Sequence, residues 1–133
     1  MPATLALMRH VLPKPVLRMS LEPAYANPSL LTDALVTRYH DLMLAPGARD
    51  ALLARLKQTV LRDPVPVLRR IAAPTLLLWG ERDAMIPFAN SADYTRALPR
   101  STLVALPGVG HLPHEEAPAL SLPPLRDFLR QHR

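Results

Sequence analysis

Hydrophobic positions divide the chain near its middle. In the first half they recur at helical spacing: Leu31, Leu35, Tyr39 and Leu42 or Met43 form one stripe, while Thr32, Asp33, Arg38 and Asp41 fall largely on the other side. Asn27-Pro28 predicts the start of this helix, because Asn caps well and Pro suits the first helical position. Pro46-Gly47 predicts its end. A second amphipathic helix is expected over residues 49–61, with Leu52, Leu53, Leu56 and Val60 as its stripe and Asp63-Pro64-Val65-Pro66 as its stop. A turn of helix over 67–71 follows. Residues 1–28 carry five prolines and predict a short apolar helix around 5–11 and then an extended connector.

The second half has a different pattern. Residues 74–80 read PTLLLWG, a continuous apolar run bounded by Pro and Gly. A strand that is apolar on both faces marks a parallel sheet buried under helices. Residues 88–98 can form a helix closed by Pro99, and 102–106 (TLVAL) read as a second strand ending at Pro107-Gly108. A final helix is expected with Leu125, Phe128 and Leu129 as its stripe and Pro123-Pro124 at its start. Strand, helix, strand, helix in that order implies an α/β unit with two parallel strands.

Composition narrows the function classes. The chain has 133 residues, room for one domain, and no cysteine, which excludes disulfides, Cys-based metal sites and a thiol nucleophile. The net charge of +5 invites a nucleic-acid reading. Fourteen of the sixteen cations are Arg, however, and only Arg69-Arg70 are adjacent; with 5% aromatics there is no stacking platform. No nucleic-acid partner is therefore expected. No apolar run approaches the length of a membrane span. Residues 1–18 hold Arg9, Lys14 and Arg18 and no acid, but Pro13 and Pro15 interrupt the apolar run and 19–21 make a poor cleavage site. The expectation is a cytoplasmic protein with no membrane partner.

In open parallel sheets, functional groups collect on loops beyond the carboxyl ends of the strands. Gly80-Glu81-Arg82-Asp83 follows the first strand and Gly108-Val109-Gly110-His111 the second. If the strands are parallel neighbours, Asp83 and His111 emerge at the same end. A carboxylate that holds an imidazole fixes its tautomer and equips it as a general base. Glu81 is the competing acid, nearer the strand end. Asp83 as a turn residue or cap, and His111 as an ordinary loop histidine, are the bland alternatives. His111 and His114 spell H-x-x-H, but no third ligand is evident, so no metal and no cofactor is expected. His114, Glu115 and Glu116 read as a brace for the loop. Trp79 reads as core packing, and so do Tyr25 and Tyr39 in preference to substrate contact.

These motifs resemble the α/β-hydrolase fold superfamily. PTLLLWGERD (74–83), with Ile86-Pro87 after it, is similar to that family's seventh strand and acid loop. LVALPGVGHLPHEEAP (103–118) is similar to its final strand and histidine loop, and LRDFL (125–129) to its last helix. Residues 27–62 resemble its helical cap more loosely. The resemblance implies a C-terminal part of an α/β-hydrolase fold. Residues 1–66 would be a helical cap segment and 67–133 the C-terminal β-α-β-α part of the core, with Asp83 as triad acid and His111 as triad base, in the family's chain order. It implies a small-molecule substrate for the complete enzyme, with hydrolysis of an ester, epoxide or related bond as the parent activity.

One part of the pattern is absent. The family's nucleophile sits in G-x-S-x-G or an Asp-centred variant, and none of the four glycines lies in such a setting. The expectation is a fragment with acid and histidine but no nucleophile, inactive alone and exposing apolar surface. The alternative is a non-catalytic module that complements a separate N-terminal half or self-associates.

Overall fold

A computed structural model describes residues 12–132. It comprises two compact units. The first contains residues up to 22 together with 31–62; the second contains 23–30 and 63 onward.

The first unit is helical: α1 (Lys14–Leu21), α2 (Asp33–Leu44) and α3 (Ala48–Gln58). The extended connector expected before residue 28 is thus largely helix. Pro15 lies in the first turn of α1, where its missing N–H is not needed, and the amides of Val16 and Leu17 bond to the Pro13 carbonyl. The short helix expected at 5–11 lies outside the described residues. Helix α2 starts later than Asn27-Pro28 suggested. Asn27 Oδ1 instead accepts the Ser29 amide and heads a 3-10 turn, Pro28–Leu30. Thr32 is the true cap, its Oγ1 accepting from the Leu35 amide at 3.2 Å. Arg18 ties α1 to the start of α2, donating to the Leu31 carbonyl and to Asp33. Gly47, at φ 80°, turns the chain into α3. The stripe expected on that helix is exposed at Leu52 and Leu56, and Val60 falls beyond its end.

In the second unit, α4 (Val65–Leu68) leads to β1 (Thr75–Gly80), α5 (Ser91–Ala97), β2 (Ser101–Leu106), α6 (Pro113–Glu116) and α7 (Pro118–Gln131). Strands β1 and β2 pair in parallel, from Thr75 opposite Ser101 to Gly80 opposite Leu106. Helix α5 packs on β2, α6 on β1, and α7 on both strands. This is the expected α/β unit. Helix α7 begins earlier than Pro123-Pro124 indicated. Its first turn forms over 118–121, the amides of Leu120 and Ser121 bonding to the Ala117 carbonyl. The two prolines then sit inside it and leave the Ala119 and Leu120 carbonyls without their usual amide donors.

Burial along the strands is uneven. Residues 75–79 are half-buried, whereas Gly80 and Leu106, at the carboxyl ends, are buried, as are Val109 and Gly110 just beyond β2. The sheet is therefore packed most tightly where the two polar loops leave it. Elsewhere apolar side chains stay in water: Leu120, Leu122, Leu125 and Leu129 of α7 are all exposed, and no large side chain among the described residues is fully buried.

Candidate functional site

The loops after β1 and β2 are held together by backbone bonds. The ladder continues past the strands with the Glu81 amide donating to the Leu106 carbonyl, and the Arg82 amide then bonds to the Val109 carbonyl at 2.9 Å. The approach is so close that a Cβ on Gly80 would collide with the backbone of Val109 and Gly110. This contact brings Asp83 and His111, twenty-eight residues apart in sequence, within hydrogen-bond reach.

His111 Nδ1 lies 2.8 Å from Asp83 Oδ2. Asp83 Oδ1 accepts two backbone amides, from Met85 at 2.9 Å and Ile86 at 2.8 Å. These amides fix the plane of the carboxylate and aim its second oxygen at the imidazole. The Asp83 side chain is 6% exposed and that of His111 31%, so the acid is enclosed and the base reaches solvent. Burial pushes the Asp83 carboxyl up, but the Ile86 amide, the His111 ring and the Met85 amide outweigh it and hold the carboxyl below its ordinary value. With Asp83 accepting at Nδ1–H, the other ring nitrogen, Nε2, is left to take a proton. A depression of about 180 Å³ lies beside the pair, lined by Leu78, Trp79, Gly80, Asp83, Ile86, His111 and Pro113.

The depressed Asp83 value has a consequence for stability. A carboxyl whose folded value lies below its unfolded one, about 3.9, stabilises the fold above that pH and loses the contribution as pH falls through the folded value. Urea midpoints should therefore drop as pH falls below about 4, and Asp83→Asn should flatten that part of the curve. Parallel acid limbs for the two proteins would contradict this.

The histidine loop has a second set of partners. The His111 amide donates to the Ala24 carbonyl at 2.8 Å. Glu116 accepts three amides: Gly110 at 2.7 Å and Ala26 at 3.2 Å on Oε2, and Asn27 at 2.9 Å on Oε1. Tyr25, 5% exposed, donates its hydroxyl to Glu115 at 2.6 Å. Glu115 and Glu116 thus brace the loop, and Tyr25 is buried in the packing. His114 is exposed on α6, and Glu81 is exposed with only its amide engaged in the ladder. Tyr39 lies on α2, in the other unit. Trp79 packs against Tyr94, ring centroids 5.5 Å apart, and donates its indole N–H to the Ile86 carbonyl. Among the described residues no three His, Asp or Glu side chains gather as metal ligands, and no helix is long and apolar enough to cross a membrane. The Met85, Ile86 and Ala24 backbone groups escaped the sequence reading, since a backbone amide or carbonyl leaves no mark on residue type.

Residues 2–121 match the family model described as the alpha/beta hydrolase family. The chain belongs to this family. Its curated relatives include the uncharacterized hydrolase YugF of Bacillus subtilis (strain 168), 36% identical over 63 residues, which are 47% of this chain and 23% of that protein. Another is the 2-(acetamidomethylene)succinate hydrolase of Mesorhizobium japonicum, 29% identical over 86 residues, 65% of this chain and 31% of that protein. A thermophilic esterase from Thermogutta terrifontis shares the fold, with a TM-score of 0.75 and 23% identity over 97% of this chain and 48% of the esterase. The chain therefore spans under a third of these two curated relatives and about half of the esterase. Its two-stranded sheet is a partial hydrolase fold.

Proposed function

We propose that this chain supplies the acid and base of a hydrolase active site, Asp83 and His111, and that the nucleophile comes from polypeptide outside these 133 residues. The hydrogen bond between Asp83 and His111, set by two backbone amides, carries the reading. In such a site His111 Nε2 takes the proton of an attacking hydroxyl, and Asp83 stabilises the imidazolium. The proton passes next to the leaving oxygen, and a water repeats the sequence to release the enzyme-bound acyl group. An aspartate nucleophile would use the same histidine to activate water. The substrate class is an ester, epoxide or related small-molecule bond, the ester in keeping with the similarity to an esterase. Residues 1–66 would serve as a cap segment, and the working protein would be cytoplasmic.

The test is reconstitution. The 133-residue chain alone should not turn over p-nitrophenyl acetate. Mixed with, or fused behind, an N-terminal hydrolase segment bearing G-x-S-x-G, it should gain turnover that His111→Ala removes. Turnover by the chain alone that depends on His111 would overturn the external nucleophile. A folded complex without turnover on esters or epoxides would favour the non-catalytic pairing module.

A further inference from the structure

We infer that Glu116 is a positioning residue for His111, acting through the backbone of Gly110 and the turn at residues 24–27. The inference rests on the reading of His111 as the base, and it names what orients that base. Both amides around the Gly110-His111 peptide are taken: Gly110 donates to Glu116, and His111 donates to the Ala24 carbonyl. The turn that offers this carbonyl is held by the same carboxylate, through the amides of Ala26 and Asn27. One side chain thus fixes the histidine backbone directly and also fixes the partner of its next amide. Gly110 completes the arrangement. A Cβ there would come within 2.6 Å of the Ala26 nitrogen, 2.8 Å of the Ala24 carbonyl oxygen and 2.8 Å of Glu116 Oε2.

The chemistry suits an anion. Three amide donors converge on one group, and a carboxylate offers two oxygens with room for all three. Glutamine keeps one acceptor oxygen and turns an NH₂ toward the remaining donor. Alanine keeps none. The brace does not touch the Asp83 carboxylate, whose own orientation comes from Met85 and Ile86. Loss of Glu116 therefore moves the base relative to a fixed acid. The geometry that suffers is the 2.8 Å contact between them.

The experiment reads that contact in the 133-residue chain by proton NMR at low temperature. The signal is the low-field His111 Nδ1–H resonance, assigned by its loss in His111→Gln. Its intensity should fall in the order unsubstituted, Glu116→Gln, Glu116→Ala, and vanish in the last, while the amide signals of β1 and β2 persist. Equal resonances in all three proteins would overturn the inference. Should Glu116→Ala fail to fold, Glu116→Gln decides it: a resonance unchanged in intensity overturns the inference, and a weakened one supports it. No nucleophile takes part in this measurement. If the intensity order holds while the reconstituted complex stays inactive, the hydrolase reading fails and the positioning role stands.

Discussion

In the reconstituted hydrolase, Asp83→Asn should lower kcat by about 10⁴-fold with little change in KM. The size follows from the direction of two backbone bonds. Asp83 Oδ1 accepts the Met85 and Ile86 amides, and in the variant only the asparagine carbonyl oxygen can take that place. The asparagine NH₂ must then face His111 Nδ1. An NH₂ donates, so Nδ1 becomes the acceptor and the ring proton moves to Nε2. The nitrogen that should take the nucleophile's proton already carries one. Space and contacts are nearly unchanged, so substrate binding is spared. His111→Ala should cost at least as much, because it removes the proton carrier itself. Steady-state kinetics of both variants check this. An Asp83→Asn enzyme that keeps a tenth of its kcat would show that the pair does not work as acid and base.

Gly80→Ala should destabilise the second unit by about 3 kcal/mol or more, at or beyond the upper end of the usual cost of overpacking. The added methyl meets backbone, the Val109 and Gly110 peptide, and backbone cannot rotate away as a side chain can. Relief requires the two loops to separate, which breaks the bond from the Arg82 amide to Val109 and carries Asp83 away from His111. Gly47→Ala is the control. Gly47 has φ 80° but nothing within 4 Å of an added Cβ, so only conformational strain of about 1–2 kcal/mol applies. Chemical denaturation of both variants separates collision from strain. A Gly80→Ala protein no less stable than Gly47→Ala would mean that the loops yield more easily than their packing implies.

Much of the second unit is legible in residue types, because its strands are bounded by Pro and Gly and its loops carry distinctive polar residues. PTLLLWG and TLVAL place both strands within a residue of their observed limits, and the parallel order follows from the helix between them. Asp83 and His111 are legible for the same reason, as polar groups placed just past two apolar runs. The first unit is less so. Prolines at 13 and 15 look like breaks, yet Pro15 serves a helix start, whereas Asn27-Pro28 look like the start of an α-helix and head a 3-10 turn instead. Local preference cannot tell these uses of proline apart; the surrounding bonds decide. The link from Glu116 to residues 26 and 27 bridges about ninety positions and is made to backbone amides, which every residue but proline has.

Trp79 gives these contacts an optical readout. It is the chain's one tryptophan, its ring rests against Tyr94, and its indole N–H is tied to the Ile86 carbonyl. The amide of that same Ile86 holds the Asp83 carboxylate. Opening of the acid loop therefore releases the indole N–H from its carbonyl partner. Intrinsic fluorescence, with no label attached, follows the order of the loop that carries Asp83.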